Sequence, residues 1–219
     1  MKKCIFSFGL FFAFLPFVNA QTSQSTNDAA LKMVADSVAK AQKDSMKWEK
    51  LKSLAYFPLI KAGPWSGVLP VTGVDEIPDP KREYKLIFEF TLNFKDTSHK
   101  ELNPGLVEIA RVLNLHVASG IPISHIHPVV VVHGPSLFSI ENNATFQEKH
   151  KKDNPNSQLI LDLMKNGCKF IACGQAMMFL DIKKEELFPG VKVSLTAQTV
   201  LSNYIGQGYV LYSINDDSK

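Results

Sequence analysis

Val129-Val130-Val131-Val132-His133 runs directly into Gly134-Pro135. Four consecutive branched residues suit a strand covered on both faces, because a half-exposed strand alternates apolar with polar positions. Such a strand belongs in a parallel sheet held between layers of helices, so the stretch predicts a three-layer α/β domain. The flanking sequence repeats the theme. Residues 84–92 are rich in aromatic and branched side chains and read as a first strand. Asn103-Pro104 is a cap followed by a first-turn proline, Leu106, Ala110, Leu113 and Val117 form one apolar stripe, and Gly120 and Pro122 end the helix. Asn154-Pro155 opens another helix with Leu159, Ile160 and Leu163 inward and Gly167 at its end. Residues 168–173, 191–196 and 209–214 supply further strands, with a short helix at 183–187 and a helical turn at 199–204. Alternation of strand and helix predicts a mostly parallel, five-stranded sheet over residues 83–219.

Upstream of that domain the pattern differs. Lys2 and Lys3 precede an apolar run over residues 4–18, and Val18-Asn19-Ala20 offers small residues for a signal peptidase. Residues 1–20 are therefore expected to be a signal peptide, cleaved between Ala20 and Gln21, which makes the mature chain periplasmic or secreted. The run is shorter than the roughly 20 residues that span a bilayer, so no membrane span is expected after cleavage. Residues 21–30 read as a polar, flexible start. Val34, Val38, Ala41, Trp48, Leu51 and Leu54 then recur at helical spacing and predict an amphipathic helix, with the domain or another subunit as its packing partner. Residues 58–82, dense in proline and glycine, read as a linker, so that 21–82 precede the α/β domain.

Composition removes several function classes. The chain has 219 residues, with 24 Lys+Arg against 21 Asp+Glu. Loss of the first twenty residues takes away Lys2 and Lys3 but no acid, leaving 22 against 21. Such a balance gives no basic footprint for nucleic acid. No Ser-His-Asp motif, phosphate-cradling glycine loop or HExxH helix is present, which removes support for hydrolase, kinase and dinucleotide-enzyme readings.

In a parallel sheet, reactive groups gather beyond the carboxyl ends of the strands. Two residues stand there: His133 before Gly134, and Cys173 before Gly174-Gln175. Each glycine permits a tight turn and close approach by another group. If the two strands are neighbours, imidazole and thiol come within reach of each other. The thiolate is the nucleophilic form, and an ordinary cysteine near pKa 8.5 carries only a few per cent of it at pH 7. A strand cysteine is also a common buried hydrophobe, and Cys168 at the amino end of the same strand is read that way. Cys168 and Cys173 lie about 16 Å apart on an extended strand, too far for a disulfide.

A metal alternative rests on His125 and His127, with His116 and His133 as additions. Pro128 follows at once and no acid lies close by in sequence, so no metal ligands are assigned.

Several segments together resemble the DsrE/DsrF-like family, in particular its exported bacterial branch. They are Asn103-Pro104-Gly105 leading into residues 110–116, the Val-Val-Val-His-Gly run ending at Gly134, Asn154-Pro155-Asn156, Cys173-Gly174-Gln175, Pro189-Gly190-Val191 and Gln207-Gly208-Tyr209. The resemblance implies a flavodoxin-like, DsrE-like fold, homo-oligomers and no cofactor. It also implies a sulfur-carrier or sulfurtransferase-like role, with sulfur held as a persulfide on Cys173 and passed between a donor and an acceptor. On this reading His133 keeps Cys173 ionised, Gly174 and Gln175 position the attacked sulfur, and Gly134 and Asn103 complete the binding residues. The rival expectation is a non-catalytic oligomeric module that binds a small molecule or partner.

Overall fold

The computed structural model describes residues 21–92 and 100–215, so the expected signal peptide at 1–20 lies outside the described residues. The chain divides into two units, residues 1–49 and 50–219. The described part of the first is helical, belonging to α1 (Gln21–Leu54). The helix runs through residues 21–30, which were expected as a flexible start, and residues 21–54 contain neither glycine nor proline to stop it. Among the described residues no helix is long and apolar enough to cross a membrane.

The second unit is built on five strands: β1 (Tyr84–Phe90), β2 (Ile126–Val132), β3 (Lys169–Cys173), β4 (Lys192–Ser194) and β5 (Val210–Ile214). They form one sheet in the order β4-β3-β2-β1-β5, and every pairing is parallel. Helices α2 (Pro104–Ala118), α3 (Asn143–His150), α4 (Ser157–Lys165) and α5 (Gly174–Phe179) lie in the connections from β1 to β4. Apolar residues of α2, α4 and α5, among them Leu106, Leu113, Leu163 and Met177, join Phe88, Phe90, Val130, Val132 and Phe170 in the main core on one sheet face. Helix α6 (Ala197–Gly206) returns from β4 to β5 across the opposite face, where Ala197, Val200, Leu201 and Tyr204 pack on Ile87, Val129, Val131 and Ile171. One return helix on the second face follows from right-handed crossovers: connections stepping toward β4 put helices on one side, and the return step puts its helix on the other.

The expected stripe on α2 is realised, with Leu106, Ala110 and Leu113 fully buried. Helix α4 begins at Ser157, later than Asn154-Pro155 suggests, because Asn154 ties the preceding loop. Its side-chain amide donates to the Ser139 and Glu141 carbonyls, and its oxygen accepts from the N–H of Asn156.

The segment expected as a linker is part of the domain over its first half. Ile60, Ala62, Ser66 and Val68 are buried, and Tyr56 and Val68 form an antiparallel bridge. Asn114 of α2 docks it. Asn114 Oδ1 accepts from the N–H groups of Leu59 and Ile60 at 3.0 and 2.9 Å. Asn114 Nδ2 donates to the Ile60 and Ser66 carbonyls, each at 2.7 Å. A broken, proline-rich segment cannot pair its backbone in a sheet, and this one buried amide satisfies four of its polar groups instead.

Candidate functional site

β2 and β3 are neighbours, and Val132 pairs with Ala172. The next residues along each strand, His133 and Cys173, therefore stand side by side at the carboxyl edge. Their shared face follows from strand alternation. Val130, Val132, Phe170 and Ala172 enter the main core, while Val129, Val131, Ile171 and Cys173 face α6.

Cys173 is 4% exposed. Ile87, Val131, Ile171 and Ala197 belong to the apolar cluster around it. Its sulfur has one polar neighbour of particular interest: the backbone N–H of Ala197 donates to Sγ across 3.3 Å. Ala197 is the first residue of α6, and Thr196 caps that helix by accepting from the N–H of Gln198. The sulfur thus takes one of the donors that a helix start leaves without an intrahelical partner, at the positive end of the helix dipole. The donor comes from a helix that starts 24 residues after Cys173 in the chain.

Both glycines after the strand ends are needed. Gly134 has φ +64°, which a side chain adopts only with strain. A Cβ on Gly174 would lie 2.7 Å from the Ser194 carbonyl oxygen, so glycine lets α5 start against the end of β4. The N–H of Gln175 then donates to the Leu195 carbonyl at 3.1 Å, fixing the loop that leads into Thr196 and Ala197.

A cavity of about 390 Å³ opens over this edge. Cys173, His133 and Gly134 contribute to its lining with Gln175, Thr196 and Gln198, and Ala176, Phe179 and Leu180 supply an apolar wall. The His133 backbone N–H donates to the Phe90 carbonyl at 3.1 Å. Its ring Nε2 lies 3.2 Å from Oε1 of Glu89 on β1, and the other oxygen of Glu89 accepts from the Ser213 hydroxyl at 3.4 Å. Glu89 was missed in the sequence reading. The available signal was a lone acid inside an apolar strand, between Phe88 and Phe90.

Asn103 belongs elsewhere. It does not line this cavity; it caps α2, accepting from the N–H of Gly105 at 2.7 Å, and its own N–H donates to Asn156 Oδ1 at 2.7 Å. Its side-chain oxygen thus caps the helix, a role for which a buried Asn before Pro104 is well suited. Cys168 and Cys173 are both free thiols, and burial pushes the Cys168 thiol far above its ordinary value.

The histidines of the metal alternative are dispersed. His127 bonds Glu83 at the amino end of β2, His125 Nδ1 lies 2.9 Å from the Pro80 carbonyl oxygen, and His116 Nδ1 lies 2.7 Å from that of Val112. His133 stands at the opposite end of the same strand. Among the described residues no group of three His, Cys, Asp or Glu is placed to hold a metal.

No curated protein matches the chain. One solved structure that it resembles is MTH1491, a protein of unknown function from Methanobacterium thermoautotrophicum. The match has 17% identity and a TM-score of 0.45, and covers 60% of this chain and 100% of that one. Residues 85–212, which hold all five strands but for the first and last residues of the sheet, match the DsrE/DsrF-like family, and the chain belongs to that family.

Proposed function

We propose that this protein is an exported sulfur carrier in which Cys173 accepts sulfane sulfur as a persulfide and hands it on. The observation that supports this most is the Ala197 N–H donating to a sulfur that also opens into a cavity beside His133. A hydrogen bond to sulfur strengthens as negative charge develops on it, so this donor supports the sulfur during transfer. In the proposed step the thiol proton passes to His133, and Glu89 offsets the imidazolium charge. The thiolate attacks the outer sulfur of a persulfide R–S–SH. A new S–S bond forms, the old one breaks, and the leaving RS⁻ takes the electron pair and then a proton from His133. The products are Cys173–S–SH and RSH, and no external oxidant is required. Gly174 and Gln175 hold the loop against which the incoming sulfur is placed.

Intact mass of the mature protein after incubation with a sulfane donor tests the reading. The wild-type chain gains one sulfur and a Cys173→Ser variant gains none; a wild-type chain that gains none contradicts it.

The second reading is a non-catalytic oligomeric binding module, favoured by the burial of Cys173 among aliphatic side chains. It requires a Cys173→Ser variant to keep whatever phenotype the wild-type chain supports.

A further inference from the structure

A second cavity, of about 330 Å³, lies on the main-core side of the sheet, the face opposite to the one that carries Cys173. It opens between α2 and the edge strand β5, where β1 and β5 end. From β1 the sheet steps one way toward β4 and the other way to β5, and the crevice where strand order reverses is where an open parallel sheet commonly takes a ligand. Helix α6, which leads into β5, crosses the opposite face and contributes nothing to this lining.

The floor is apolar. Phe88 and Tyr212 have ring centroids 5.3 Å apart, and Leu92, Val112 and Ile214 join them in the lining. The α2 wall carries Glu108 and Arg111, whose pairing is lopsided. Both oxygens of Glu108 are taken: Oε2 accepts from Arg111 Nε at 2.7 Å and Oε1 from Nη2 at 2.6 Å. The guanidinium uses one side of its fork in this pair, and Nη1 has no hydrogen-bond partner among the described residues. Pro104 and Gly105, in the first turn of α2, bring the positive end of that helix to the same lining.

We infer that this cavity binds a small organic monocarboxylate, at a site separate from the thiol and independent of the carrier reading. The hydrocarbon body lies over Phe88 and Tyr212, as small-molecule sites of this size commonly arrange it. The carboxylate takes the open end of the Arg111 fork as a second bidentate partner. A ligand cation would meet a Glu108 whose oxygens are already occupied, and a neutral head would forgo the charge-assisted bonds. Glu108 repels the incoming anion, which holds affinity down without reversing the preference.

The test titrates the mature protein with octanoate, octanol and octylammonium and follows backbone amide shifts by NMR. Octanoate is expected to bind about fivefold more tightly than either rival, with shifts at Gly105, Arg111, Tyr212 and Asn215. Arg111→Gln, at a partly exposed position, is expected to weaken octanoate about tenfold and octanol less than about twofold. Glu108→Gln removes the competing charge and is expected to tighten octanoate about threefold. Octanol or octylammonium binding as tightly as octanoate overturns the inference. Shifts confined to the Cys173 cavity, or no saturation by any of the three at about 10 mM, overturn it as well. Sulfur loading of Cys173 is read separately, so failure here leaves the carrier reading standing.

Discussion

Ala197 N and Cys173 Sγ are 3.3 Å apart, which joins the first turn of α6 to the last residue of β3. The contact is non-local and uses backbone alone at one end, so side-chain substitution at 197 cannot remove it. Replacing Ala197 with lactic acid exchanges the N–H for an ester oxygen and keeps the side chain. Alkylation of Cys173 at pH 7 is expected to slow about tenfold, the weight of one hydrogen bond to an anion. An unchanged rate in a chain with unchanged circular dichroism removes α6 from the mechanism.

His133 and Glu89 act together if the ring serves as the proton acceptor. His133→Ala should slow alkylation and sulfur loading of Cys173 at every pH tested. Glu89→Gln keeps the shape and a hydrogen-bonding group but removes the charge, and should give a smaller loss, on the order of fivefold. Rates in both variants equal to wild type would leave these residues with no part in the chemistry.

Asn114 bonds two N–H groups and two carbonyls of residues 59–66, and three of these four bonds are buried while that to the Leu59 N–H is part-buried. Asn114→Ala strands those groups without partners and is expected to cost about 3 kcal/mol in urea unfolding. A loss below about 0.5 kcal/mol, the scale of a surface change, would mean that the proline-rich segment does not depend on this amide.

Glu141 has a fully buried side chain with Oε1 2.7 Å from Lys149 Nζ. Burial pushes its carboxyl above the ordinary value of 4.5, and the bond from Lys149 opposes that rise. The folded chain therefore holds this proton more readily than the unfolded one. Its contribution to stability is greatest below the unfolded value and is lost as pH rises through the raised folded value. Compared with Glu141→Gln, the wild-type chain should lose stability on going upward from about pH 4.5. Parallel stability curves for the two proteins would contradict the assignment.

Legibility in the sequence followed locality. The valine run at 129–132 and the stripe of Leu106, Ala110 and Leu113 carry their burial in their own spacing, and the sheet and its main face could be read from them. His133 and Cys173 could be found because a glycine follows each strand end. Short elements were harder. The polar α3 has no apolar face, α5 is six residues long and starts with glycine, and neither shows a period. Residues 59–68 have no pattern that foretells their docking, since their partner Asn114 lies more than 45 positions away. Glu89 and Ala197 were missed for the same reason, because strand order brings Glu89 to His133 and the return path of α6 brings Ala197 to Cys173, and no local spacing does so. Asn103 was named among the binding residues through the resemblance, and in the structure its side-chain oxygen caps α2.

The central claim is that the Cys173 sulfur is reactive in the folded chain although most of its surface is covered. The most direct measurement is native-state alkylation by iodoacetamide at pH 7, followed by peptide mapping of Cys173 and Cys168. Both thiols are buried, and only Cys173 lies in the cavity with a backbone donor on its sulfur. The account predicts rapid modification of Cys173 with Cys168 untouched until urea is added. Cys173 remaining as inert as Cys168 until unfolding would contradict it.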